Sequence, residues 1–138
     1  MRYLLDTNVV SELRKVASPR ADPRFARWAR KQSATEAISA VTLFELEVGV
    51  QRIARKDAAQ GAALRRWLDE VRTTFEDSVL PLTAAAATCA AGFHVPDPAS
   101  DRDAFIAATA HVHGLTVVTR NTADFQSFGV PLLNPWED

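Results

Sequence analysis

Residues 2–13, RYLLDTNVVSEL, decide how the rest of the chain is read. Arg2 to Leu5 is short, apolar and aromatic, as a strand requires. It runs straight into Asp6, Thr7 and Asn8, residue types whose side-chain oxygens accept the first free N–H groups of a helix. Strand, turn and a short helix through Leu13 are therefore expected. Working outward, Ser, Pro and Asp cluster around residues 18–23, and Pro23 suits the first position of a helix that turns Phe25, Trp28 and Ala29 inward and ends near Gln32. A brief strand at 37–39 feeds a long helix at 40–55. A second helix at 58–75 carries the apolar stripe Leu64, Trp67, Leu68, Val71 and Phe75. Val79 and Leu80 form a short strand closed by Pro81, and the alanine-rich segment 83–93 reads as a helix whose small side chains permit close contact. Beyond a loop holding Pro96 and Pro98, residues 101–113 are helical with Gly114 as the C-terminal cap. Strands follow at 116–119 and 130–133. Short apolar strands alternating with helices predict an α/β fold, a parallel β-sheet flanked by α-helices, in one domain over residues 1–138. Neither a repeat nor a linker interrupts it.

Composition narrows the function classes. The chain has 138 residues, 47% hydrophobic and 24% charged, with 5 Gly and 7 Pro, which provides a core and excludes disordered and collagen-like classes. Sixteen Lys and Arg against seventeen Asp and Glu leave a formal net charge of -1, so a basic coat that binds nucleic acid by charge alone is excluded. Any polyanion must be met locally. Cys89 is the only cysteine, which rules out an internal disulfide, and with three histidines it makes no recognisable zinc spacing. A reducing cytoplasm is expected. Asp6 breaks the apolar start too early for a signal peptide, and no stretch approaches the roughly 18 apolar residues of a membrane helix, so no membrane partner is expected.

Carboxylate positions give the first functional pointer. At about 100° per residue, Glu45 falls within about 40° of Val41 and about 60° of Val48, on an apolar face, whereas Glu47 lies about 160° from it and reads as the solvent-facing acid. An inward acid needs a partner. Arg52, two turns on, is the structural option. Asp6 sits where a parallel strand ends, the edge at which ligands collect in open α/β sheets, and Asp124 follows the strand at 116–119. Asp103 opens a helix. Each acid also has a local alternative: Asp6 as a helix cap, Asp103 in a capping arrangement with Ser100, Asp124 steadying the turn begun at Asn121. Were all four to meet, pairs about 4 Å apart would repel by roughly 4 kcal/mol each at an effective dielectric of 20, against a domain stability of roughly 5 to 15 kcal/mol. A cation or bound protons would have to compensate. An all-oxygen site of this kind suits Mg²⁺ or Mn²⁺ and the hydrolysis of phosphodiesters.

Four segments in order carry a resemblance: LLDTNVVSELRK at 4–15, SAVTLFELEVG at 39–49, DAFIAATA at 103–110 and TRNTADF at 119–125. With them the chain resembles, over essentially its whole length, the PIN-domain ribonucleases of the VapC and FitB type, the toxin halves of bacterial toxin–antitoxin pairs. The resemblance implies an acidic quartet at Asp6, Glu45, Asp103 and Asp124 that is both catalytic and metal-binding, with Thr7 and Thr119 or Asn121 as supporting polar residues. Asp103 is preferred to Asp101 because it leads into the IAATA segment, as in the family, whereas Asp101 on a helix already running there points about 160° away. The implied activity is Mg²⁺- or Mn²⁺-dependent endoribonuclease hydrolysis of RNA, a transfer or ribosomal RNA in relatives. A homodimer and a cognate antitoxin protein that occludes the acidic pocket are the implied partners.

Positive charge gathers in residues 14–31, where Arg14, Lys15, Arg20, Arg24, Arg27, Arg30 and Lys31 face only Asp22. Arg24, Arg27 and Lys31 share one helical stripe, read either as a solvated face or as an RNA-contacting rim. Two rival functions remain at this point: a metal-independent ribonuclease using His94 with His111 or His113, and an RNA- or partner-binding module with a catalytically inactive acidic pocket. Aspartyl-phosphate chemistry at Asp6 is weaker, since the second aspartate it calls for two positions on is Asn8.

Overall fold

A computed structural model describes residues 1–16, 18–32 and 36–137. Strand β1 (Tyr3–Leu5) leads into α1 (Thr7–Leu13), followed by α2 (Pro23–Lys31), β2 (Glu36–Ser39), α3 (Ala40–Lys56), α4 (Ala58–Thr74) and β3 (Val79–Leu80). The second half comprises α5 (Ala84–Gly92), α6 (Asp101–His113), β4 (Thr116–Val118), α7 (Thr122–Phe125), a 3-10 turn (Gln126–Phe128) and β5 (Leu132–Leu133). Five parallel strands stand in the order β3-β2-β1-β4-β5. The expected elements are all present, with the last strand two residues long rather than four: Val130 and Pro131 only lead into it.

Strand alternation divides the core. Leu4 pairs with Ala37 and Val117, and their side chains turn to one face of the sheet, where Ala86, Ala90, Ala104, Ala107, Ala108 and Ala110 of α5 and α6 meet them. Leu5, Ile38 and Val118 turn to the other face, against Phe25, Trp28, Leu46, Leu68 and Phe75. Small side chains thus let α5 and α6 approach closely on one side. On the other side bulky ones space α1 to α4 from the sheet. Trp67, half-buried, packs at the edge of this second cluster with the Arg14 guanidinium 5.3 Å from its ring centre.

Turn chemistry sets the helix ends. Asp57 closes α3 and caps α4, its carboxylate accepting the Gln60 N–H at 3.0 Å. The resulting α3–α4 hairpin is tight: a Cβ on Gly61 would lie 2.5 Å from the Ala54 Cα, so only glycine fits there. Gly114, at φ 67°, ends α6 in the left-handed conformation. Among the described residues, no helix is long and apolar enough to cross a membrane.

The strand order fixes the site. From central β1 the chain first builds outward through β2 to β3, then crosses to add β4 and β5 on the other side. The connections leave β1 and β4 in opposite directions at their carboxyl ends, which opens the crevice where open α/β sheets bind ligands.

Candidate active site

Asp6 follows the last residue of β1 and extends the ladder, donating its N–H to the Val118 carbonyl at 2.9 Å. Its Oδ1 accepts the Thr7 N–H at 2.8 Å and so caps α1, while Oδ2 accepts the Thr119 hydroxyl at 2.8 Å. The cap and the site are therefore the same side chain, used at its two oxygens. Only 6% of Asp6 is exposed. Burial pushes its carboxyl above the ordinary range, hydrogen bonds from Thr119 and Thr7 pull it back, and the charges of Glu45 and Asp124 push it up again.

Glu45 enters from α3. The Thr7 hydroxyl donates to its Oε1 at 2.7 Å and also lies 3.4 Å from the buried Thr42 hydroxyl, tying α1 to α3. Its Oε2 lies 3.5 Å from a guanidinium nitrogen of Arg102, on α6. That cation, and not Arg52, answers the inward acid. Asp103 stands one residue further on, in the first turn of α6, with its N–H donated to the Ser100 hydroxyl at 3.4 Å. The capping reading and the inward reading hold together here too. Partial burial, then the charges of Asp6, Asp124 and Glu45, push the Asp103 carboxyl up to about 6. Asp124, exposed on α7, is thus close enough to act on both Asp6 and Asp103.

The fold therefore brings the four expected acids into one electrostatic neighbourhood. Among the described residues, no three carboxylate, imidazole or thiol groups stand close enough together to hold an ion as they are. Charge is concentrated without having been closed into a coordination cage.

Supporting groups are partly those expected. Thr7 and the fully buried Thr119 both hold site carboxylates. Asn121 supports through its backbone, whose N–H donates to the Thr119 hydroxyl at 3.0 Å; its side chain is exposed and makes no cap to α7. Asn8, expected as a helix-capping type and as the residue that argues against aspartyl-phosphate chemistry, has a further part in the site. It lies 3.4 Å from Asp6 and 3.5 Å from Thr119 through Nδ2, and its Oδ1 accepts the Arg120 N–H at 3.3 Å, linking the ends of β1 and β4. Arg102 was not singled out at all, since a lone arginine between two aspartates reads as a solvated helix start. Thr42, three residues before Glu45 and so on the same helical face, had a signal that was there to be used.

Other candidates lie elsewhere. Glu47 is not an ordinary solvent-facing acid: it is half-buried and takes both guanidinium nitrogens of Arg65, from α4, at 2.8 and 2.6 Å. Those hydrogen bonds hold its carboxyl down at about 2. His94 lies 2.8 Å from Asp101 and 2.9 Å from the Ala90 carbonyl through its two ring nitrogens. His111 and His113 occupy the last turn of α6, roughly 12 Å or more along the helix from Asp103 at 1.5 Å per residue. Arg24, Arg27 and Lys31 are exposed on α2, with Arg24 leaning toward Asp22 at 3.8 Å.

A five-stranded parallel α/β fold with four carboxylates gathered at its switch point, and one guanidinium among them, defines a class of protein: an acidic, all-oxygen site suited to handling phosphate. The chain belongs to the PIN domain family, whose pattern matches residues 3–130. It is 35% identical to the VapC ribonuclease Y4jK of Sinorhizobium fredii, over 97% of both chains. It is also 32% identical to the toxin FitB of Neisseria gonorrhoeae, over 98% of this chain and 99% of the other. The crystal structure of FitAcB from Neisseria gonorrhoeae superposes with a TM-score of 0.87 at 30% identity, covering 99% of each chain.

Proposed function

We propose that this chain is an endoribonuclease, the toxin of a toxin–antitoxin pair, hydrolysing RNA phosphodiester bonds at Asp6, Glu45, Asp103 and Asp124. The observation that carries the proposal is the accumulation of negative charge at the switch point: Asp6 raised by burial and Asp103 pushed up to about 6, with Arg102 as the partner of Glu45. Ion pairs that serve stability are satisfied within the fold, and Glu47 with Arg65 is one. Uncompensated carboxylates serve a ligand that brings positive charge.

The donor set fits Mg²⁺ or Mn²⁺, which favour carboxylate oxygen and keep room for water and phosphate oxygens. Asp6, Glu45 and Asp103 would be the main ligands, with Asp124 completing the site directly or through water. Such an ion supplies charge neutralisation at the phosphate and a more acidic water. The chain's own residues do the positioning. Thr119 and the Thr7 amide fix the two Asp6 oxygens, and the Thr7 hydroxyl fixes Glu45, so both carboxylates are oriented before substrate arrives. Partial burial and then the neighbouring charges push the Asp103 carboxyl up to about 6, and a cation held there would offset those charges and favour its ionised, ligating form.

The same reading makes this a cytoplasmic protein and a homodimer, held inactive by a cognate antitoxin protein, with a transfer or ribosomal RNA as substrate. The test is incubation of the purified chain, stripped of any co-purifying protein, with total cellular RNA in Mg²⁺, Mn²⁺ or EDTA, beside Asp6→Asn. Discrete fragments that require both the metal and Asp6 are expected. Cleavage that survives EDTA would transfer the chemistry to the histidines, and RNA bound without turnover would make this a binding module.

A further inference from the structure

Phe44 is the residue immediately before Glu45 on α3, and it is 53% exposed. An aromatic ring in that position costs solvation and contributes little to the core. The Arg102 guanidinium carbon stands 5.1 Å from the Phe44 ring centre, and a guanidinium nitrogen of the same residue lies 3.5 Å from the Glu45 carboxylate. One arginine thus joins an exposed ring to a site acid. Beside them a groove of about 430 Å³ is lined by Val41, Phe44, Leu82, Asp101, Arg102 and Phe105, with Leu82 also exposed at 38%. The wall of the groove is apolar, Arg102 stands at its edge as the partner of Glu45, and the Asp101 carboxylate on the same edge is engaged by His94 at 2.8 Å.

We propose that this groove is a nucleobase subsite, which takes an unpaired base next to the scissile phosphate. The inference rests on the ribonuclease reading of the adjoining acids. Three features fit a nucleotide better than a purely apolar occupant. The exposed aromatic face stacks bases of any identity, the guanidinium adds both a stacking plane and a phosphate donor, and the groove is continuous through Arg102 with the carboxylates. Arg102 is also held loosely enough to change partners, since 3.5 Å to Glu45 is a long ion pair and its side chain is 49% exposed. A cation on the acids would take over Glu45 and leave the guanidinium to the RNA backbone. Arginine serves here where lysine would not, because only a planar group both stacks and donates in a fork.

The test uses full-length Asp6→Asn protein, so that RNA is bound and not cut, with fluorescein-labelled single-stranded RNA octanucleotides in Mg²⁺, read by anisotropy. A set of octanucleotides, each abasic at one position, locates the stacked base. Adding Phe44→Ala should weaken binding about tenfold, and Phe44→Trp should restore it. For one abasic position the two losses should not add, because ring and base are then the two halves of one contact. Arg102→Gln should weaken binding and lower the salt slope by about one, whereas Arg102→Lys should keep the slope and still lose affinity. Unchanged affinity in Phe44→Ala, with RNA still bound by its Asp6→Asn parent, would overturn the subsite and leave the ribonuclease reading standing. A Phe44→Ala protein that binds RNA as before but sediments as one copy where its parent sediments as two would make the groove an interface between copies. No RNA binding by the parent, together with no cleavage of RNA by the unsubstituted protein in Mg²⁺ or Mn²⁺, would remove the ribonuclease reading and the subsite with it.

Discussion

Glu45 and Glu47 stand two residues apart on α3, and the fold treats them in opposite ways. Glu47 receives a forked guanidinium from Arg65 at 2.8 and 2.6 Å and a further hydrogen bond from Gln51 at 3.3 Å, and its carboxyl is held at about 2. Glu45 receives a hydroxyl from Thr7 and a more distant guanidinium, and it faces the charges of Asp6 and Asp103. Arginines and lysines are plentiful in this chain, sixteen in all, so scarcity does not explain the difference. The fold places its best ion pair where two helices must pack and leaves its acids crowded where a ligand must bind. An acid's partner, more than its burial, separates a structural carboxylate from a functional one.

The largest expected effect comes from breaking that contrast on its functional side. Glu45→Gln should lower ribonuclease turnover at least about a hundredfold, as the loss of a charged group aimed at a reacting phosphate typically does. Its thermal midpoint should stay within a degree or two, because glutamine still accepts the Thr7 hydroxyl. A variant that keeps turnover, or one that melts many degrees lower, would place Glu45 beside Glu47 as a structural acid.

Metal binding sharpens the same point at a smaller scale. Mg²⁺ at ten times its dissociation constant should stabilise the protein by about 1.4 kcal/mol, a rise of roughly 4–7 °C in the midpoint for a domain of this size. The rise should vanish in Glu45→Gln and persist in Glu47→Gln. Differential scanning fluorimetry against EDTA reads both, and an equal rise in the two variants would break the comparison.

How far this contrast was legible in the sequence depends on the span of each contact. Asp6 was legible because a strand end and a helix cap are local, and Glu45 because helical angles put it among Val41 and Val48. Asp103 was separated from Asp101 by the family resemblance, which sets the acid just ahead of IAATA, and helical arithmetic added only that the two point apart. The partners were not legible. Thr119 reaches Asp6 across 113 positions, Arg102 reaches Glu45 across 57, and Arg65 reaches Glu47 from the next helix. Helical periodicity reports which face a residue lies on and is silent about what another element brings to that face, which is why Glu47 read as a solvated acid. The strand order escaped for the same reason: β1 was recognisable as a strand, and its central place follows only from pairings with β2 and β4.

Asp103 turns the contrast into a pH dependence. Its carboxyl titrates at about 6 in the fold against an ordinary 3.8, so between those values the folded chain binds the extra proton. Stability is then highest below about pH 4 on this account and falls as pH rises through 6, because ionising Asp103 beside Asp6, Asp124 and Glu45 is costly. Asp103→Asn should remove that slope. Discounted for the water that reaches this half-exposed group, the gain is about 1 kcal/mol at neutral pH, or roughly 3–5 °C in EDTA. A midpoint that is unchanged between pH 5 and 7 in the starting protein would show that the four charges do not couple.

The smallest effect belongs to Glu47, and its sign is the reverse. Held at about 2 against an ordinary 4.5, its carboxylate contributes stability that is complete above pH 4.5 and is lost as pH falls through the range below it. Glu47→Gln should therefore lower the midpoint at pH 7 by only about two degrees, since the pair is partly exposed and salt screens it, and should leave RNA cleavage intact. The deficit should narrow as pH drops toward 3 and shrink in 1 M salt. As pH falls from 7 to 3, the melting curves of the Glu47→Gln and Asp103→Asn proteins would then approach the starting protein's curve from opposite sides, the first from below and the second from above. Two curves moving the same way would mean that both acids answer to the overall charge of the chain, and that the separate partners of Glu45 and Glu47 carry no energetic distinction.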